Sequence, residues 1–438
     1  MNAVIIAVLV MLLLSLFRVN VVLALIIGAL VGGVTGGLSL EETVAVFSEG
    51  LGGGATIALS YALLGGFAVA ISATGVPNAL VEGMMKIVGK ENSSRKKKLT
   101  KVLLILLVLL IAILSQNVIP IHIAFIPLLI PTLLKTMNEL SLDRRLMATV
   151  LTFGLTAPYI LLPVGFGFMF HEIIASNMAQ SGMEIALNDI PKAMMIPTVG
   201  LIVGLLIALF ISYRKPRTYR EATLSNEITK EVHSKKRILF AAISIVVALV
   251  FQLLFESMII GALSGLLLLY VSGAVPWRKA DDLLTEGMKM MAFIGFVMIA
   301  ANGFAAVIKA TGDVESLVEN TAFLIGDNKT VAALLMLIVG LVITMGIGSS
   351  FATIPIIATI FVPLAIQLGF SPLATIVIIG TAGALGDAGS PASDSTLGPT
   401  AGLNADNQHN HIWDTCVPTF LHFNLPLILF GWVGAILL

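Results

Sequence analysis

Apolar runs of bilayer length follow one another along almost the whole of this chain, and lipid allows few backbones to carry them. Only a helix bundle or a closed barrel satisfies every N–H and C=O without water. The runs lie at 2–17, 19–37, 55–75, 99–116, 117–137, 143–170 and 190–213. Beyond a charged stretch they continue at 237–255, 257–275, 285–309, 330–347, 352–369, 372–400 with a break, and 413–438. A membrane helix needs about twenty mostly apolar residues, and these runs are continuous where barrel strands would alternate. The expectation is an all-α polytopic membrane protein. Composition agrees, since 11% of the residues are charged against about a quarter in soluble domains. The formal net charge of zero gives no electrostatic footprint for nucleic acid. A single cysteine, Cys416, excludes an internal disulfide and a Cys-rich metal site. The first run lacks a basic flank and a cleavage site, so it reads as a retained span.

Two sets of seven runs suggest a repeat, and the third run of each set supplies one. "GFAVAISATG" at 66–75 matches "GFAAVIKATG" at 303–312, with Glu49-Gly50 against Glu286-Gly287 and Leu80-Val81-Glu82 against Leu317-Val318-Glu319 in the same register. Short loops rich in Lys and Arg stay cytoplasmic. Placing 95–101 inside puts Arg18, Lys135 with Arg144 and Arg145, the 214–236 linker, and Arg278-Lys279 on that same side. The matching helices then run in opposite directions. The expected organisation is a first inverted repeat at 1–213, a cytoplasmic charged linker at 214–236, and a second inverted repeat at 237–438, with 10 to 14 spans. Inverted repeats place a transported solute near the midplane, where the halves meet.

The fourth and fifth runs of each half join almost without a linker, through "SQNVIPIH" and "GIGSSFATIP". Each pair is either two full spans or a re-entrant hairpin. The polar tips, Ser115, Gln116 and Asn117 in one and Ser349, Ser350 and Thr353 in the other, carry no Lys or Arg to hold them at a surface, which favours two hairpins. The sixth run of each half is a broken helix. One reads "LTAPYILLPVGFG", with Thr156, Pro158, Pro163, Gly165 and Gly167; the other contains "GDAGSPASDST" at 386–396. Irregular backbone at membrane depth survives where it is buried in protein or lines a wet cavity.

Asp387 and Asp394 lie in that second break, and a charge at a helix centre costs about 2.5–3.5 kcal/mol on insertion scales. A cation offsets this. Asp387, Ser390, Ser393, Asp394, Ser395 and Thr396, with carbonyls freed by Pro391, offer the hard oxygen ligands a small cation prefers. Na⁺ fits them, and a carboxyl with a raised pKa would carry H⁺ instead. The contrary reading, a long aqueous loop from 386 to 411, would make both acids cheap. His122, just past the first tip, is a candidate proton relay. His409 and His411, among alternating polar residues, read as solvated.

"GDAGSPASDST" resembles the G-D-x-x-S-P-x-S-D-[ST]-T signature of the NhaC-type Na⁺/H⁺ antiporter family, and the whole-chain layout resembles the ion transporter superfamily with its predicted amino-acid permeases. The resemblance implies that Asp387, Ser390, Pro391, Ser393 and Asp394 form the cation-binding segment. It also implies that Ser115, Gln116, Asn117, Ser349 and Ser350 sit at hairpin tips holding ion and substrate, and that a scaffold domain, often dimeric, supports a sliding transport domain. Small residues at Ala388, Gly389 and Ala392 leave room for an organic solute.

Helix N-termini at the tips favour an anionic group and the aspartates an ammonium, which together suit an amino-acid zwitterion. The expected function is a Na⁺- and/or H⁺-coupled permease for an amino acid or similar small solute, by symport or antiport through alternating access; the alternative is a Na⁺/H⁺ antiporter without organic substrate. No cofactor is expected beyond Na⁺ or H⁺ as coupling ion. The expected setting is a bacterial cytoplasmic (inner) membrane, with lipid and a second copy of the chain as partners. "ALGD" at 384–387 lacks the first glycine and the Tyr-Asp partner of an intramembrane aspartyl protease, so no enzyme is expected. A channel would not need acids poised to take up and release a cation, and no phosphate-binding loop supports ATP use.

Overall fold

The computed structural model describes residues 2–17, 19–76, 94–117, 122–220, 235–255, 257–313, 316, 328–347 and 350–438. Every regular element among them is a helix. In chain order these are α1 (Ala3–Leu16), α2 (Val21–Thr35), α3 (Leu40–Ala73), α4 (Ser94–Asn117), α5 (His122–Glu139), α6 (Arg144–Leu161), α7 (Phe166–Gln180) and α8 (Asp189–Ser212). After the charged linker come α9 (Lys235–Phe255), α10 (Met258–Val271), α11 (Ala280–Ala310), α12 (Lys329–Ile347), α13 (Ser350–Gln367), α14 (Pro372–Ala384), α15 (Asp394–Leu403) and α16 (His411–Leu437), the last with two π-helical stretches. Short polar residues punctuate the apolar runs. Asn2, Asn20, Ser39, Asp143, Ser257, Ser371, Ser393 and Asn410 each accept a backbone N–H in the first turn of the helix that follows, satisfying donors the helix leaves free.

The third run of each half is longer than its apolar part. α3 starts at Leu40 rather than near 55 because Ser39 and Glu42 close a capping box, Ser39 N–H donating to the Glu42 carboxylate at 2.8 Å. At 34 residues it is about 50 Å long, well beyond the ~30 Å of hydrocarbon. α11 likewise opens at Ala280, with Asp281 and Asp282 in its first turn. By length and composition, five described helices can cross a membrane, or six if α6 and α7, bent by 47°, form one span. Five more apolar helices run only 10–17 residues.

α3 and α11 pack antiparallel through a seam of glycines. A Cβ added at Gly54 would come within 2.5 Å of Ile299, at Gly65 within 2.5 Å of Gly287 O, and at Gly50 within 2.6 Å of Ala306. The contact is reciprocal in the register of the sequence repeat. Gly50 meets Asn302 and Gly303, Gly287 meets Gly65 and Gly66, and Ala58 faces its own equivalent, Gly295. The small residues let two long helices approach to backbone contact. Gly287→Ala puts a methyl 2.2 Å from Gly66 N, which forces the helices apart at a cost of about 1–3 kcal/mol or more. Its unfolding temperature in detergent should fall clearly, while Gly52→Ala, with nothing within 4 Å, should leave it unchanged.

Two packing groups emerge. α1, α2, α3, α9, α10 and α11 contact one another, and α4–α8 pack with α12–α16. The groups meet where α3 touches α5, α11 touches α12 and α15, and α1 touches α12. A separate apolar cluster, with Phe67, Ile71, Leu266 and Leu269, stabilises the outer part of the first group.

Candidate functional site

Between α14 and α15 the chain leaves helical geometry for nine residues, 385–393. Gly386 and Gly389 both sit at φ +87, a left-handed backbone that residues with a Cβ rarely adopt. Space is also short: a Cβ on Gly386 would lie 2.9 Å from Met345 N, and one on Gly389 2.6 Å from the Phe420 Cβ. The irregular stretch is buried, so its polar groups need partners. Asn424 supplies two, accepting from Gly386 N–H at 3.1 Å and donating to Ala388 O at 2.6 Å. Pro391 O pairs with His411 Nε2 at 2.9 Å, and Ser390 O accepts from the Thr396 hydroxyl at 2.6 Å. These three carbonyls are held by protein donors.

The two carboxylates are treated differently from the backbone around them. Asp387 and Asp394 are half-buried among fully buried neighbours. Asp387 Oδ2 accepts from the Tyr159 hydroxyl at 2.6 Å, and its Oδ1 from the Ser393 hydroxyl at 3.2 Å. Tyr159 also lies 3.2 Å from Ser350 Oγ, so α6, α13 and the break converge on one acid. Asp394 opens α15, where a negative charge suits the helix N-terminus, and its Oδ1 accepts from the Tyr61 hydroxyl of α3 at 2.8 Å. Ser393 caps α15 by accepting from Ser395 N–H, and Ser395 O accepts from Thr152 at 2.8 Å. Ser390 Oγ accepts from Ala392 N–H at 3.2 Å, and Thr396 pins the turn through Ser390 O and Ser393 O. Among the described residues, no group of three or more His, Cys, Asp or Glu is placed to hold a metal, so any cation here would rest on carboxylates, hydroxyls and carbonyls.

The other expected solute contacts are partly in view. Ser350 and Thr353 are buried at the start of α13, and Ser350 reaches the Asp387 cluster through Tyr159. Thr156 spends its hydroxyl on Thr152 O within α6, and Pro158 precedes the bend, its carbonyl accepting from Leu162 N–H at 2.7 Å. Gly165, at φ +58, opens α7. Ser115, Gln116 and Asn117 end α4 and His122 begins α5, but their side chains, like Ser349 and the expected hairpin tips at 118–121 and 348–349, lie outside the described residues.

One sequence expectation needs correction. His409 and His411 are buried, not solvated, at 2% and 8% exposure: packing of α15 on the start of α16 covers the loop between them. His409 Nε2 pairs with Thr415 Oγ1 at 2.7 Å, and burial pushes its pKa down. Arg144, expected on the cytoplasmic side, is 0% exposed. It forks onto Asp406 at 2.5 and 2.6 Å, donates to Leu403 O and Asn138 Oδ1, and stacks on Tyr219 at 4.2 Å. Asp406 is raised by burial, yet Arg144 holds it below the usual carboxylate range. The start of the linker is likewise docked: Arg217 bonds Asp414 at 2.9 Å, and Arg220 exchanges two hydrogen bonds with Gln408. Residues 221–234 lie outside the described residues.

Tyr61, Tyr159, Thr152 and Asn424 were not legible as site residues. Their one signal is a hydrogen-bonding side chain inside an otherwise apolar run.

Comparisons with known proteins agree across the chain. A sequence model of the Na⁺/H⁺ antiporter family matches residues 150–432, and a second, described as a Na⁺-H⁺ antiporter family, matches residues 2–88. The chain is 60% identical over 444 residues to the Bacillus subtilis protein named "Putative amino acid transporter YuiF", covering all of both chains. It is 57% identical over 442 residues to an uncharacterized membrane protein of Vibrio parahaemolyticus, again covering all of both. Among solved structures it is similar to the YdaH transporter of Alcanivorax borkumensis at 16% identity and a TM-score of 0.43, over 91% of this chain and 88% of that one.

Proposed function

This chain belongs to the Na⁺/H⁺ antiporter family, and from that premise we propose that it is a cation-coupled permease for an amino acid or a similar small solute. It is an integral membrane transporter and not an enzyme. The observation that carries the finer reading is the break between α14 and α15. It presents Asp387 and Asp394, each held by a buried phenol, where two helix groups meet. Na⁺ is the proposed coupling ion, held by the two carboxylates with Ser393 and Ser395 beside them. A solute ammonium would lie near Asp387, and its carboxylate at the start of α13, near Ser350, where the helix dipole favours an anion.

Alternating access follows from the two groups. α1–α3 with α9–α11 act as scaffold, and α4–α8 with α12–α16 as the moving transport domain. The reciprocal glycine contacts of α3 and α11 support inverted repeats, with a pseudo-two-fold axis through Ala58 and Gly295. In this reading 99–137 and 330–369 are re-entrant hairpins, the linker is cytoplasmic, and the protein is a homodimer of a bacterial inner membrane.

The relative named as an amino acid transporter supports an organic solute, whereas the family description favours Na⁺/H⁺ exchange alone. Proteoliposomes separate the two. A Na⁺ gradient should drive uptake of at least one labelled amino acid. If no solute moves while Na⁺ alone collapses a pH gradient, the permease reading fails and the exchanger reading replaces it.

A further inference from the structure

Asp394 is held from across the seam. Its hydrogen-bond donor, Tyr61, stands well inside α3, in the scaffold group, with 1% of its surface exposed. The other described partners of the break belong to the transport group. Tyr159 serves Asp387, Thr152 serves Ser395, Asn424 serves Ala388 and His411 serves Pro391. Nearby contacts between the groups are undirected by comparison. Val8 and Phe304 face Gly346, where a Cβ would come within 2.9 Å of Val8 and 3.6 Å of Phe304, and Phe293 meets the His411 ring edge-on at 6.0 Å. Apolar contacts of this kind let helices slide with little change in energy, whereas a charge-assisted hydrogen bond fixes one position.

We propose that Tyr61 is the coupling residue: its phenol donates to Asp394 when no Na⁺ is bound there and biases the transport group toward this position against the scaffold, and Na⁺ arriving at Asp394 displaces it. The inference rests on the cation site proposed above. The phenol holds Asp394 Oδ1, and the ion is proposed to take that oxygen in its place, so the two compete for it. A hydrogen bond to a charged group is worth about 1.5–3 kcal/mol, so the bond biases the carrier toward this position without preventing its empty return, and Na⁺ removes the bias. A ligand shifts such an equilibrium only by its different affinity for the two states, and the Tyr61 bond creates that difference. Asp387 has a phenol too, but Tyr159 sits in the same group and travels with it.

The test is Na⁺ titrated into the full-length protein in detergent, with K⁺ keeping ionic strength constant. Affinity is read from the Na⁺-dependent rise in unfolding temperature, since a ligand of the folded state stabilises it by mass action. Tyr61→Phe keeps the ring and removes the competing donor, so Na⁺ should bind roughly tenfold to a hundredfold more tightly, as expected for the loss of one hydrogen bond to a charged group. In proteoliposomes the same variant should take up the labelled amino acid with a weaker dependence on Na⁺. Asp394→Asn should lose the Na⁺ response. Unchanged affinity in Tyr61→Phe would make Tyr61 a packing residue, and weaker affinity would make it a ligand; either overturns the coupling role while the cation site stands. If Asp394→Asn keeps the full response, the ion does not bind there, and site and coupling role fall together.

Discussion

Asp387→Asn should abolish cation-driven uptake in proteoliposomes while leaving the protein folded. A carboxylate and a monovalent cation about 4 Å apart attract by about 4 kcal/mol at an effective dielectric near 20, close to a thousandfold in affinity. Asparagine removes that attraction and keeps the shape. Its carbonyl can still accept from Tyr159, which donates to Asp387 at 2.6 Å, and its amide can donate to the Ser393 hydroxyl, now 3.2 Å away. The unfolding temperature in K⁺ should therefore stay near wild type. Uptake at the wild-type rate would remove Asp387 from the mechanism.

Arg144→Met should cost more stability than any other single change considered for this chain. The guanidinium is fully buried and shared among Asp406, Leu403 O and Asn138, with Tyr219 stacked over it. Removing one partner of a buried ion pair strands the other, typically at about 3–5 kcal/mol. Asp406 would be left beside Gln408 with no cation in reach among its described contacts. Replacing both charges, as in Arg144→Met with Asp406→Leu, should recover much of the loss, because the stranded charge is the main cost. Denaturant titrations of the single and double variants in detergent measure this. Equal losses in the two would show that packing, not the stranded carboxylate, carries the effect.

Much of this arrangement is legible in the sequence because lipid enforces it. Two aspartates, three serines and a proline in "GDAGSPASDST" cannot lie in a plain apolar helix, and the structure breaks there, between α14 and α15. The same reasoning found the bend between α6 and α7 from Pro158, Pro163 and Gly165. What escaped is long-range. Tyr61 meets Asp394 across 333 positions, and Tyr159 meets Asp387 across 228. A tyrosine within an apolar run reads as one more apolar residue until its partner is placed. His409 and His411 failed for a related reason: alternating polarity signals solvent only when nothing packs over the loop, and α15 does. The start of α3 was missed because Glu41, Glu42 and Glu49 interrupt the apolar pattern that sets the run at 55–75, although acids stabilise a helix in its first turn.

Cation coupling as proposed requires that the break between α14 and α15 bind the ion between Asp387 and Asp394. Binding of radioactive sodium to the purified protein, in wild type and in the double variant Asp387→Asn with Asp394→Asn, tests it without requiring any solute to be known. Saturable binding that competes with unlabelled Na⁺ in wild type and vanishes in the folded double variant is the predicted result. Retention of wild-type binding by the variant would contradict it.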